Sequence, residues 1–236
     1  MRETRQFNCL FQKSGETFKL FVNDAIRRKD WGGEYAETSA NYFAEKLAEI
    51  PEGSTLEIHI NSEGGDAFEG TAIYNLLKAA PIKKIGIVDG RAFSAATFIL
   101  MACDERIMNT GTTLLVHNAW TIAIGNADDL RAVADDLDKL MEANRKIFLG
   151  KCSLSEDELI ALMKEEKMLT PKEALAYGFV DKIEDEIEEE PEEEEPEEKK
   201  PEEEKPEEKS PEEEVPGSPV ERFDRVAAER FFKQFY

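Results

Sequence analysis

Apolar positions along residues 1–183 change their spacing repeatedly, from every second residue to every third or fourth. Alternation marks a strand with one buried face, and the wider spacing marks a helix with one. Residues 18–22 (FKLFV) read as a strand. Residues 39–50 place Tyr42, Phe43, Leu47 and Ile50 at helical spacing. Residues 55–61 alternate Leu56, Ile58 and Ile60, a strand. A helix follows at 68–80, a short strand at 83–88, a helix of small and apolar residues from Ser94 to Cys103, and a strand at 112–118. A long helix is expected from Ala127 to Phe148. Leu130, Val133, Ala134, Leu137, Leu140, Met141, Ile147 and Phe148 form one face, and charges form the other. Two capping boxes open the last helices. Ser155 with Glu158 starts one that runs through Leu162. Thr170 with Glu173, and Pro171 in the first turn, starts another through Tyr177, closed by Gly178. Residues 179–183 form a final short strand. Strands alternating with helices predict βαβ units, a largely parallel sheet and an α/β fold.

Charge changes the picture beyond residue 183. The 236-residue chain has a net charge of -22. Residues 184–219 hold 20 acidic residues and 4 lysines, a net of -16, while the first 183 residues carry only -7. The expected organisation is therefore one domain over 1–183, a linker over 184–219 and a short segment over 220–236. Prolines at 191, 196, 201, 206, 211 and 216 recur every five residues with glutamates between them. Proline interrupts helix and sheet, like charges repel, and little apolar surface offsets the ordering entropy, so the linker reads as disordered and extended. It fits a solubilising spacer or a targeting arm. Residues 220–236 then set Phe223, Ala227, Phe231 and Phe235 four apart, one aromatic face of a helix. That face fits a docking peptide, or a helix that folds back on its own domain.

The acidity excludes a nucleic-acid partner held through phosphates. The longest weakly polar run, Ala92 to Cys103, spans 12 residues, short of the roughly 20 that cross a bilayer. The N-terminus has no signal-peptide run, so the expected location is the cytoplasm, with no membrane partner. Cys9, Cys103 and Cys152 are scattered with no CxxC pair, which argues against a disulfide framework or a zinc site. No metal or cofactor pattern is present.

Four places carry candidate chemistry. Gly64 and Gly65 follow a strand and precede a helix, where backbone N–H groups turn toward a ligand and can hold an oxyanion; a plain turn is the simpler reading. Gly90 is expected to turn the chain after the strand at 83–88, so that Ser94 opens the next helix. Ser94 is then either the N-cap of that helix or a nucleophile favoured by the helix dipole, with Ala92, Ala95 and Ala96 leaving room around it. Of the two histidines, His59 sits mid-strand on the face opposite Ile58 and Ile60 and reads as structural or exposed. His117 ends an apolar strand, where it can reach a cleft and act as the base that a serine requires, or be structural. Glu165 and Glu166 lie in the turn before Thr170 and are candidates to orient an imidazole; composition does not choose between them.

Taken in order, these segments resemble the Clp protease proteolytic subunit family, and more closely its phage and prophage head maturation relatives. The likeness covers about residues 20–183. INSEGGDAFEGTAIYNLL is similar to the family's Asn-Ser-Pro-Gly-Gly segment, DGRAFSAATFILMA to its nucleophile segment, LLVHNAW to its histidine strand and LTPKEALAYGFVDKI to its closing signature. The resemblance implies a spiral of ββα units, shared with crotonases, with residues 127–148 as the handle helix. It implies Ser94 as nucleophile, His117 as base and Glu166 as the acid, at a position where the family has aspartate. Gly64, Gly65 and Ala95 would supply the oxyanion hole. It departs from the family at Glu63, Phe93 and Ala119. The implied function is a serine endopeptidase forming a homo-oligomeric ring, needing no cofactor, and processing capsid or scaffold proteins in the host cytoplasm or inside the procapsid. The implied help is none or an ATPase partner, with the tail docking to capsid or ATPase. Rival readings are a crotonase-type acyl-CoA enzyme and a non-catalytic ring or scaffold.

Overall fold

The computed structural model describes residues 9–15, 17–29 and 36–184. The expected linker from 185 onward and the aromatic segment at 220–236 lie outside the described residues. Seven strands form one mixed sheet in the order β1-β2-β3-β4-β5-β7, with β6 pairing to β4. The strands are β1 (Cys9–Ser14), β2 (Thr17–Val22), β3 (Thr55–Ser62), β4 (Lys83–Phe93), β5 (Glu105–Asn109), β6 (Thr113–Leu115) and β7 (Lys182–Glu184). Only β1 and β2 pair antiparallel; every other pairing is parallel. The helices are α1 (Ala40–Ala48), α2 (Ala67–Ala79), α3 (Ala95–Ala102), α4 (Ala127–Leu149), α5 (Glu156–Glu165) and α6 (Pro171–Ala176). Both the α/β class and the largely parallel sheet follow from the alternating pattern.

The core lies on one face of the sheet. Phe18, Leu20 and Val22 of β2 and Leu56, Ile58 and Ile60 of β3 alternate into it, and all six are buried. α3 is buried along its whole length, from Ala95 to Ala102, because its residues are small or apolar on every side. On the other face His59 stacks on Phe21 with ring centroids 4.6 Å apart. Its Nδ1 lies 2.9 Å from Asp89 Oδ2.

Several elements depart from the pattern-based expectation. Gly90 does not turn the chain. β4 continues through it to Phe93, and its pairing to β3 slips between Ile60 and Ser62, a bulge that absorbs the extra residues. A Cβ at Gly90 would come within 2.9 Å of Asn61 Cγ, so glycine here serves a close approach to the neighbouring strand. β5 joins the sheet although its sequence, ERIMN, carries two charges. Arg106 is buried and makes its polar contacts with Asp181 and the Gly178 carbonyl, its Nε donating to Asp181 Oδ2 at 3.0 Å. β6 ends at Leu115, so His117 stands two residues past the strand rather than at its end. β7 begins at Lys182 and takes in Glu184, the first residue of the expected linker. In α4 only Met141, Asn144, Ile147 and Phe148 are buried. The first half of its apolar stripe is not packed in this chain; Leu130 is 46 % exposed. No helix among the described residues is long and apolar enough to cross a membrane.

Candidate active site

β4 ends at Phe93 and α3 begins at Ala95, so Ser94 alone links strand to helix. The link forces Ser94 to φ 52 and ψ -127, a region where a residue with a Cβ costs about 1–3 kcal/mol. Its N–H donates to the Leu115 carbonyl at 2.9 Å, and its own carbonyl accepts from the Thr97 N–H at 2.9 Å. The backbone is thus fixed from both sides, by β6 and by α3. The hydroxyl makes no capping bond to α3. Each of the other five described helices has its first turn capped by a side chain, from Ser39, Asp66, Asn126, Ser155 and Thr170. Ser94 therefore occupies a cap position without acting as a cap.

The glycine loop packs directly against this junction. Gly64 has φ +85, and a Cβ there would sit 2.8 Å from both Ala95 N and Ser94 Cβ. Gly65, at φ +143, forms an isolated parallel bridge with Ile26. The Ile26 N–H donates to the Gly64 carbonyl at 2.7 Å, and the Asp66 N–H donates to the Ile26 carbonyl at 2.8 Å. In such a bridge the two bonds come from the flanking residues, so Gly65 turns its own N–H away from Ile26. The N–H of Gly64 is already taken: it donates to Ser62 Oγ at 3.1 Å. Among the described residues the N–H groups of Gly65 and Ala95 meet no acceptor. Gly65 and Ala95 thus present N–H groups without an acceptor, whereas the Gly64 N–H is bonded to Ser62 and Gly64 brings the loop close to Ser94.

His117 is placed by β6. The register Arg91↔Thr113, Ala92↔Leu114 and Phe93↔Leu115 lays β6 along the end of β4. Leu114 in turn bridges Leu169, with N–H···O bonds of 3.0 and 2.7 Å. This bridge brings the turn after α5 beside His117. Glu165 is the last residue of α5, and Glu166 is its C-cap in the left-handed region at φ 52. Burial pushes the half-buried His117 ring below its ordinary pKa of 6.5, and the Glu166 charge raises it in part. Of the two candidate glutamates, Glu166 is the one whose charge bears on the imidazole. It acts through space: no hydrogen bond links Ser94, His117 and Glu166 to one another among the described residues.

Ser94 and His117 line one small cavity together with Ala95, Phe98, Asn144 and Phe148. A larger cavity, about 450 Å³ between α1 and α2, is lined by residues such as Ala40, Ala44, Ala72 and Leu76 and holds no nucleophile or titratable group. Among the described residues no group of three His, Cys, Asp or Glu side chains is placed to hold a metal. The lining residues Phe98, Phe148 and Asn144 were not singled out by sequence pattern as site residues. Asn144 had a visible signal, because it falls three residues after Met141 and three before Ile147, on the stripe that α4 buries.

The family model described as Clp protease matches residues 25–187. The chain is 29% identical over 138 residues to the ATP-dependent Clp protease proteolytic subunit of Deinococcus radiodurans, a stretch covering 57% of this chain and 67% of that protein. It is 27% identical over 139 residues to the protein of the same name from Bacteroides fragilis, covering 58% and 67%. A solved ClpP1 mutant from Listeria monocytogenes superimposes with a TM-score of 0.60 at 18% identity, covering 70% of this chain and 90% of that one, a likeness of fold. By the match of its family model over most of the folded part, the chain belongs to the Clp protease family, a family of serine-type endopeptidases.

Proposed function

We propose that Ser94 is the nucleophile of a serine endopeptidase and His117 its general base. One observation carries this reading: the Ser94 hydroxyl is held on a strained strand-to-helix link, caps nothing, and lines one cavity with the only histidine near it. His117 takes the Ser94 proton as Oγ attacks the peptide carbonyl. The N–H groups of Gly65 and Ala95 hold the oxyanion, and His117 returns the proton to the leaving amine. Water then repeats the sequence on the acyl-serine. Glu166 stabilises the imidazolium by its charge and, once drawn into contact, fixes the ring. The apo side chains are gathered but not aligned, a common state before substrate binds.

The ring assembly of the family fits the apolar residues left exposed beside the site and on α4: Trp120, Ile122, Ile124 and Leu130. For substrate we propose capsid or scaffold proteins of an assembling phage head, in the host cytoplasm. The support is the likeness of the four segments to head maturation proteases and the polyanionic stretch 184–219, suited to a targeting arm.

The test of the chemistry is cleavage of an unfolded protein by the full chain. Ser94→Ala should lower the rate by about a thousand-fold or more; unchanged cleavage rejects the mechanism. Co-expression with a neighbouring capsid protein, with cut sites mapped by mass spectrometry, tests the substrate. Cuts that vanish in Ser94→Ala support it, and an uncut capsid protein refutes it.

A further inference from the structure

Five described helices open alike at their first carbonyl, and α3 does not. The N-cap carbonyls of Ser39, Asp66, Asn126, Ser155 and Thr170 each accept from the N–H four residues on. Those five residues have ψ between 116 and 177. Ser94 has ψ -127, and its carbonyl accepts from Thr97, three residues on. Thr97 meets that carbonyl twice, through its N–H at 2.9 Å and through Oγ1. It is fully buried, and it alone in α3 carries a hydroxyl. A buried hydroxyl is costly unless it is bonded. Among the described residues the bond that this one makes goes to Ser94. In α2, Thr71 makes the ordinary helical bond, four residues back, to the Ala67 carbonyl at 2.8 Å. Thr97 reaches three back instead, to the residue ahead of its helix.

We infer that Thr97 is a positioning residue of the oxyanion hole: its hydroxyl holds the Ser94 carbonyl and thereby aims the Ala95 N–H. This rests on the reading of Ser94 as nucleophile. The Ser94 carbonyl and the Ala95 N–H belong to one planar trans peptide unit, so they point in opposite directions and turn together. With the carbonyl clamped into the start of α3, the N–H is directed away from it, and it meets no acceptor. The glycine loop lies against the same nitrogen, since a Cβ on Gly64 would come 2.8 Å from Ala95 N. One donor would leave the peptide unit free to rock about a single bond, and two donors on one oxygen fix its plane. They also polarise the unit and strengthen its N–H as a donor. A sparsely populated backbone conformation such as that of Ser94 persists only where its surroundings hold it. An oxyanion donor is effective only when it is aimed at the place where charge develops. Thr97 therefore acts through the Ser94–Ala95 peptide unit and touches no substrate.

The test compares the full-length protein with Thr97→Val, Thr97→Ala and Thr97→Ser in steady-state cleavage of an internally quenched peptide. Rates are taken per Ser94 labelled to completion by a fluorophosphonate, so partial loss of folded protein cancels. Removing an oxyanion donor outright costs about a hundred-fold or more in kcat. Thr97→Val and Thr97→Ala, which leave the donor in place but loosely aimed, should lower kcat about ten-fold, with KM within about two-fold of wild type. Thr97→Ser keeps the hydroxyl and should stay within about three-fold of wild type in kcat. An unchanged kcat in Thr97→Val, a loss carried by KM, or an equal loss in Thr97→Ser overturns the inference. In each of these cases labelling of Ser94 leaves the peptidase reading standing. If Thr97→Val and Thr97→Ala both fail to fold, the hydroxyl is a support of the fold, and the inference is overturned as well. No cleavage and no labelling in wild type overturns the peptidase reading, and this inference with it.

Discussion

Two neighbouring strands of the sheet hand over to helices in opposite ways. β3 passes to α2 through Glu63, Gly64 and Gly65, and Asp66 then caps the helix, its carboxylate accepting from the N–H groups of Phe68 and Glu69 at 2.8 and 3.1 Å. β4 passes to α3 with no loop at all, through Ser94 at a positive φ, and the cap is left unmade. The difference follows from what each helix buries. α2 buries only Gly70, Ile73 and Leu77, so its stability depends in part on its ends. α3 buries every residue, including Phe98, Ile99, Leu100 and Met101, each worth roughly 1.5–3 kcal/mol against about 1 kcal/mol for a cap. A helix anchored so well tolerates a strained, uncapped start. The hydroxyl that would ordinarily cap it is left without a capping bond, and the capped junction supplies the backbone that lies against it.

That contrast can be broken at several points. The largest effect is expected for Ser94→Ala, which should remove peptide cleavage by about a thousand-fold or more. It should change stability in urea by no more than about 0.5 kcal/mol, since no cap is lost. A loss of a full cap's worth would mean that Ser94 is an ordinary helix start. Next is Gly64→Ala. A methyl at φ +85, 2.8 Å from Ser94 Cβ, should cost about 1–3 kcal/mol and, by shifting the junction, about a hundred-fold in rate. Full activity would show that the glycine loop does not position Ser94. Asp66→Ala should behave in the reverse way: thermal unfolding should show about 1 kcal/mol lost with a rate within a few-fold of wild type.

The smallest effect is in the pH profile. The base must be neutral, and burial lowers the His117 pKa below 6.5. Activity should therefore hold at pH 6.5 and fall away only below it, through the lowered value. Glu166 partly counteracts the burial, so Glu166→Gln should move the acid limb further down while lowering the plateau rate. A limb that moves up would contradict the assigned acid. Stability follows the same sign. The unfolded imidazole gains its proton first as pH falls below 6.5, so this contribution is complete above 6.5 and declines beneath it.

Helices with local signals were legible in the sequence. The capping boxes at Ser155 and Thr170 and the stripe of α4 fixed three helices to within a few residues, because caps and periodicity act over one turn. What escaped was set by distant partners. β5 carries Glu105 and Arg106 and shows no strand pattern, yet Asp181, 75 residues on, pairs with Arg106 inside the fold. Burial would raise the Asp181 carboxyl, and Arg106 outweighs it, holding the pKa below the ordinary 3.8. Gly90 reads as a turn, and only its approach to Asn61 on the next strand shows why it lies within β4. Ser94 and His117 could be chosen from spacing and resemblance. Whether Gly64 or Gly65 has a free N–H depended on the Ser62 hydroxyl, a contact that spacing does not encode.

The central claim is that the Ser94 hydroxyl is made reactive by His117. The most direct measurement is treatment of the full-length protein with a fluorophosphonate, followed by peptide mapping in wild type and His117→Ala. A single adduct on Ser94, lost or slowed by orders of magnitude without His117, is the predicted result. No adduct, an adduct on another serine, or labelling of Ser94 that is indifferent to His117 would contradict the account.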